Sequence, residues 1–144
     1  MDGISLTASI IAVLQLTTSV AKQAYKYGKS VKNASEDMGK ISNQLKDVEA
    51  ILVKLKALAD REIVAGNVLE SWPTLVSLNS PNGALERCRH TMEALCAELI
   101  TAEGLKKYKQ RVRWPSTKNK IERYLGDIRT QKDVFITLLN IEHM

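Results

Sequence analysis

The sequence predicts an all-α fold, a four-helix bundle with a short extra helix between the second and third long helices. Three observations lead there. Gly (7), Pro (3) and aromatic residues (5%) are sparse, which disfavours turn-rich sandwiches and barrels. Apolar residues recur at alternating steps of three and four over four long stretches, the period of one helix face. With 144 residues, 44% hydrophobic and 26% charged, the chain is expected to form a single domain spanning 1–144 around its own core.

The first helix is the least ordinary. Residues 3–21 carry no charge, which suggests a signal peptide or a membrane span before anything else. Met1-Asp2-Gly3 is acidic where a signal peptide needs cations, and 8 of those 19 positions are Gly, Ser, Thr or Gln. Leu6, Ile10, Val13, Val20, Ala24 and Tyr27 form a bundle-facing stripe. Ile4, Ile11, Leu14 and Leu16 spread apolar surface to other faces, the pattern of a helix that is central in a bundle or meets a second apolar phase.

A second helix opens at Asn33-Ala34-Ser35-Glu36, with Asn33 as the cap and Glu36 bonding back. Its seam is Met38, Ile41, Leu45, Val48, Leu52, Leu55 and Ala59, and it ends between Asp60 and Gly66. Trp72-Pro73 forces a boundary, while Leu75, Val76 and Leu78 call for burial, so a short helix is expected across the bundle over 67–79. Ser80-Pro81 provides a cap followed by proline in the first turn of a third helix. Leu85, Cys88, Met92, Leu95, Leu99 and Ala102 form its seam and Gly104 its stop. A basic linker then leads to Trp114-Pro115-Ser116-Thr117, the expected start of the last helix. Its stripe is Ile121, Leu125, Ile128, Phe135 and Leu139, interrupted by Lys132. Short linkers predict antiparallel neighbours.

Charge is unevenly placed. The net value is +5, yet between residues 104 and 123 eight cations (Lys106, Lys107, Lys109, Arg111, Arg113, Lys118, Lys120, Arg123) face one acid, Glu122. Lys22, Lys26, Lys29 and Lys32 form a second patch with no acid among them, leaving the remainder mildly acidic. Such patches suit an anionic partner. The basic segment around Tyr108 and Trp114 admits a solvated linker, a lipid contact or nucleic-acid stacking, and two aromatic residues are thin support for nucleic acid. Cations beside an apolar helix supply two membrane signals at once.

Catalytic signatures are missing. Gly28-Lys29-Ser30 resembles the tail of a phosphate loop, but Gln23 stands where that motif needs glycine and no strand precedes it. Asn33-Ala34-Ser35 matches a glycosylation acceptor and is better explained as a helix start. Cys88 and His90 lie about 200° apart around a helix, so the histidine is not placed as a base for the thiol. Glu36/Asp37 and Asp60/Glu62 sit in polar, exposed patterns. His90, His143, Cys88 and Cys96 show no metal-ligand spacing. Cys88 and Cys96 are separated by ~12 Å of helix rise and cannot bridge, so a reducing, cytoplasmic setting is expected. No enzyme activity, cofactor or metal is expected.

The opening Met1-Asp2-Gly3-Ile4-Ser5-Leu6-Thr7-Ala8-Ser9-Ile10-Ile11-Ala12-Val13-Leu14-Gln15-Leu16 resembles the start of the fungal HeLo-like N-terminal domains of NOD-like receptors, which precede NTPase and repeat modules. Val112-Arg113-Trp114-Pro115, followed by Lys118, Lys120, Ile121, Leu125, Arg129, Lys132 and Leu138-Leu139, is similar to that family's tryptophan-proline entry into its final helices. The resemblance implies a bundle similar to those of HET-S and the mixed lineage kinase domain-like pseudokinase, which oligomerise and execute regulated cell death at membranes. It implies membrane-active roles for Leu6, Ile10, Ile11, Val13 and Leu14. Contact with anionic lipid would fall to Lys22, Lys26, Lys29, Lys32, Lys106, Lys107, Lys109, Arg111 and Arg113. A cytoplasmic protein recruited to the plasma membrane follows from that scheme. The rival expectation is a non-toxic adaptor module that binds other helical signalling domains. A shared fold does not impose a shared activity.

Overall fold

A computed structural model describes residues 3–30, 35–64, 78, 83–105 and 107–142. All of its regular elements are helices: α1 (Gly3–Ser30), α2 (Ser35–Val64), α3 (Ala84–Glu103) and α4 (Lys107–Glu142). The short helix expected over 67–79 lies outside the described residues apart from Leu78, which is buried in the core.

The seams fold as their spacing predicts. Every expected seam residue of α1, α2 and α3 is buried, and these residues join one hydrophobic cluster. The gap in the α1 stripe between Val13 and Val20 is filled by Thr17, which is fully buried. Its hydroxyl donates to the Val13 carbonyl at 2.7 Å, so a polar residue enters the core with its donor satisfied inside its own helix.

Contacts at both ends of each helix set the directions. Thr7 donates to Asp60 at 3.4 Å, which makes α1 and α2 antiparallel. Gln23 donates to Glu103 where α1 and α3 both end, so these two run parallel. Lys120 meets Glu98 at 3.8 Å and the Gln110 side chain donates to the Glu103 carbonyl at 2.8 Å, making α3 and α4 antiparallel. Lys118 pairs with Asp37 at 3.4 Å near the starts of α2 and α4, which are therefore parallel. The packed pairs are α1 with α2, α1 with α3, α3 with α4 and α2 with α4. The ring order is α1–α2–α4–α3, with α1 diagonal to α4 and α2 diagonal to α3.

That order corrects one expectation. Antiparallel adjacency holds for α1/α2 and for α3/α4, whose connections are short. The α2-to-α3 connection over 65–83 has reach to spare at ~3.3 Å per extended residue, enough to cross the end of the bundle to the far corner.

Helix boundaries supply further corrections. α3 begins at Ala84, later than the proline signal predicts. Gly83 is its cap in extended backbone (φ −74°, ψ 174°), and the Arg87 amide donates to the Gly83 carbonyl at 3.0 Å. Ser80, Pro81 and the expected cap Asn33 lie outside the described residues. Gly104 does close α3, in right-handed backbone (φ −70°, ψ −10°). The largest correction concerns α4. The expected basic linker is helix from Lys107 onward, and Pro115 lies inside it. Proline has no amide for the carbonyl four residues back, yet the helix passes through because its first turns are tied to the bundle. Gln110, Trp114 and Thr117 are buried at helical spacing, and Gln110 satisfies the last carbonyl of α3. The α4 stripe is also uninterrupted: Gln131 takes the core position between Ile128 and Phe135, and Lys132 stands half-buried beside it.

Candidate functional site: the α1 helix and the basic end of the bundle

The residues predicted to be membrane-active divide into two groups. Leu6, Ile10 and Val13 are only 2%, 1% and 1% exposed, because they are α1's contribution to the core. Ile11 and Leu14 are half-buried on the flank of α1 that also carries Thr7 and so turns toward α2. Leu16, on another flank, is half-buried and packed against the same core. The extra apolar faces of α1 are thus partly covered in the folded bundle. No described helix is long and apolar enough to cross a membrane.

The two basic patches, far apart in sequence, lie at the same end of the bundle, on two helices that stand diagonally. Lys22, Lys26 and Lys29 are exposed on the last turns of α1, and Lys109 and Arg113 are exposed on the first turns of α4. Lys107 and Arg111 belong to those same α4 turns, while Lys32 and Lys106 lie outside the described residues. Tyr27 and Trp114 join the two helices across the bundle centre, with ring centroids 5.5 Å apart and planes tilted by 39°. Such a tilted contact is favourable beyond the area it buries. Burial, with the Glu98 carboxylate nearby, pushes the Tyr27 hydroxyl up to about 12. Beneath the cations lies the polar layer of Gln23, Glu103 and Gln110.

Leu6 and Lys26 are separated by ~30 Å along α1, at 1.5 Å rise per residue. The apolar beginning of α1 and the cations at its end therefore occupy opposite ends of the bundle. Sequence reading groups them because they share a helix, and the fold separates them.

Other chemical candidates are held apart. Cys88 is fully buried in the α3 seam, and burial pushes its thiol up to about 12. His90 is turned to the surface, with Nε2 3.0 Å from Glu86, so Cys88 and His90 do not form a nucleophile–base pair. Glu86 is held below the usual carboxylate range, chiefly by its hydrogen bond from Arg89. Among the described residues no group of three or more His, Cys, Asp or Glu is placed to hold a metal ion. Two grooves follow the α2/α4 seam. One, of about 340 Å³, is charged, with Asp37, Lys40, Lys118 and Glu122 in its lining. The other, of about 590 Å³, is mainly apolar, with Ile51, Leu58, Ile136 and Leu139. Neither contains a residue predicted for the site.

No family model, curated protein or solved structure matches the chain.

Proposed function

We propose that this chain is a non-enzymatic signalling domain that engages anionic membranes, as the resemblance to fungal receptor N-terminal domains implies. In this reading the domain is cytoplasmic, is recruited to the plasma membrane and oligomerises there to execute regulated cell death. Membrane lipids are its partner, and nucleic acid is not. The observation that supports the reading best is the gathering of the two basic patches at one end of the bundle. Clustered cations strengthen attraction to an anionic surface, each being worth ~1 kcal/mol close to it. Insertion would be a second step, in which α1 brings Leu6, Ile10, Ile11, Val13 and Leu14 to the lipid.

Vesicle binding and leakage test the two steps. The chain is expected to sediment with phosphatidylserine-containing vesicles, to ignore phosphatidylcholine alone and to dissociate as salt rises. Release of a trapped dye from anionic vesicles is expected, and Leu14→Asp is expected to abolish it. Absence of binding to anionic vesicles refutes membrane engagement. Binding without leakage refutes insertion alone.

A second reading, a non-toxic adaptor for helical signalling domains, draws support from the burial of Leu6, Ile10 and Val13. Hydrogen exchange separates the two. Protection across residues 6–27 equal to that of Leu45 to Leu55, unchanged by anionic vesicles, favours the adaptor; loss of α1 protection on vesicles favours insertion.

A further inference from the structure

α1 packs against α2 on one side and α3 on the other, which leaves one strip of the helix facing out. Exposed positions follow that strip from Ala8 and Gln15 to Lys22, Lys26 and Lys29. No acid occurs anywhere between Gly3 and Ser30. Small and polar side chains occupy its first half and cations its second. Tyr25 stands among those cations, 60% exposed, with the Lys29 ammonium 4.7 Å from its ring centroid. The outer face of α4 differs. Lys109 and Arg113 begin it, but exposed acids Glu122, Asp127 and Asp133 then alternate with exposed Lys120, Arg123 and Arg129.

We infer that the outer face of α1 is a docking surface on which the folded bundle lies along an anionic bilayer. Lys22, Lys26 and Lys29 meet lipid phosphates, and Tyr25 sits at the level of the head groups. This inference rests on the membrane reading above and names the face that performs it. A long acid-free face meets a flat negative surface without like-charge repulsion, whereas the mixed signs along α4 offset one another. Lysine stems lie along the interface while their ammonium groups reach phosphate. Tyrosine, apolar in body and polar at its tip, suits the boundary between lipid and water.

The docking face is opposite the core face of α1. Docking therefore leaves Leu6, Ile10 and Val13 in place, and the bundle binds before any insertion.

The test uses the whole chain and phosphatidylcholine vesicles with and without phosphatidylserine. Every substituted position is exposed, and circular dichroism checks that each variant keeps its helices. Lys26→Gln with Lys29→Gln is expected to weaken binding to anionic vesicles about thirtyfold, roughly fivefold for each lysine. Tyr25→Ser is expected to weaken it several-fold with an unchanged salt slope. Tyr25→Trp retains binding, and its added emission shifts to the blue on vesicles. Lys109→Gln with Arg113→Gln is expected to weaken binding much less than the α1 pair does, about threefold at most, and Val112→Ser to bind as wild type does. A loss from the α4 pair equal to that from the α1 pair overturns the assignment of the face. So does wild-type binding by Tyr25→Ser, or equal affinity for duplex DNA lost through the same lysines. Wild-type protein that ignores anionic vesicles altogether removes the membrane reading itself.

Discussion

If α1 is a full member of the core, truncating one of its seam residues must loosen the whole bundle. Ile10 is 1% exposed and belongs to the same buried cluster as Leu45, Leu52 and Leu95. Ile10→Ala deletes most of a buried aliphatic side chain and leaves a void, which costs about 2–5 kcal/mol. A domain of this size has about 5–15 kcal/mol in total, so the loss is large and measurable. Ile11, one residue on and half-buried, provides the internal control, and Ile11→Ala should cost about 1 kcal/mol. Urea unfolding followed by circular dichroism should show a lower midpoint for Ile10→Ala with an unchanged slope. Hydrogen exchange should show the slowest amides of α2 accelerated by the same factor as those of α1. A cost below about 1 kcal/mol at Ile10, or loss of protection confined to α1, would mean that α1 is a detachable strap and would refute its place in a cooperative core.

Four further outcomes follow from the structure. Trp114 is 7% exposed and packs against Tyr27, so Trp114→Ala should cost about 3–5 kcal/mol and fray the helix before Pro115, seen as faster exchange over 107–113. Pro115→Ala restores an amide inside α4 and should raise stability in urea by about 1–3 kcal/mol. Tyr27 is raised from 10.0 and Cys88 from 9.0, each to about 12 and each by burial first. Both are neutral in the folded bundle over a range where the unfolded chain ionises. Their contribution is therefore complete below pH 9 and is lost as pH rises through 12, which urea midpoints taken across that window will show. A thiol reagent should modify the half-buried Cys96 in the native protein and reach the fully buried Cys88 only on unfolding, as a mass spectrum of the labelled chain will report.

Much of the fold can be read from spacing alone, since a three-and-four repeat places residues on one helix face whatever the helix later meets. The seams of α2 and α3 therefore emerge residue by residue. Thr17 and Gln131 escape because they are polar, although their spacing marks them: each stands where the stripe demands a member. The start of α4 escapes for another reason. Proline rules describe local preference, and here the burial of Gln110 and Trp114 extends the helix across Pro115. Ring order leaves no trace in periodicity, so the diagonal placement of α2 and α3 could not be read, nor could the placing of Lys26 and Lys29 at the same end of the bundle as Lys109 and Arg113. The site is a product of topology acting on two sequence patches that are legible only singly.

The same topology limits how α1 can leave. Leu6, Ile10, Val13 and Val20 are each no more than 2% exposed, and returning four such side chains to water costs roughly 6–12 kcal/mol. That is comparable to the whole stability of a domain, about 5–15 kcal/mol, before counting the faces of α2 and α3 that departure would bare. Spontaneous release of α1 into water would thus amount to unfolding the bundle. A bilayer changes the balance because it can receive those side chains directly, and a second copy can cover the faces left behind. Insertion, where it occurs, should therefore require both lipid and a local concentration of copies, with dye release rising more steeply than linearly in protein bound per vesicle. The choice of variant follows from the same reasoning. Ile10→Asp puts a charge into the core and unfolds the protein with or without lipid, so its failure to cause leakage carries no information. Leu14→Asp acts at a half-buried flank. It should leave vesicle binding intact while abolishing leakage, and linear leakage or leakage untouched by this substitution would remove α1 from the insertion step.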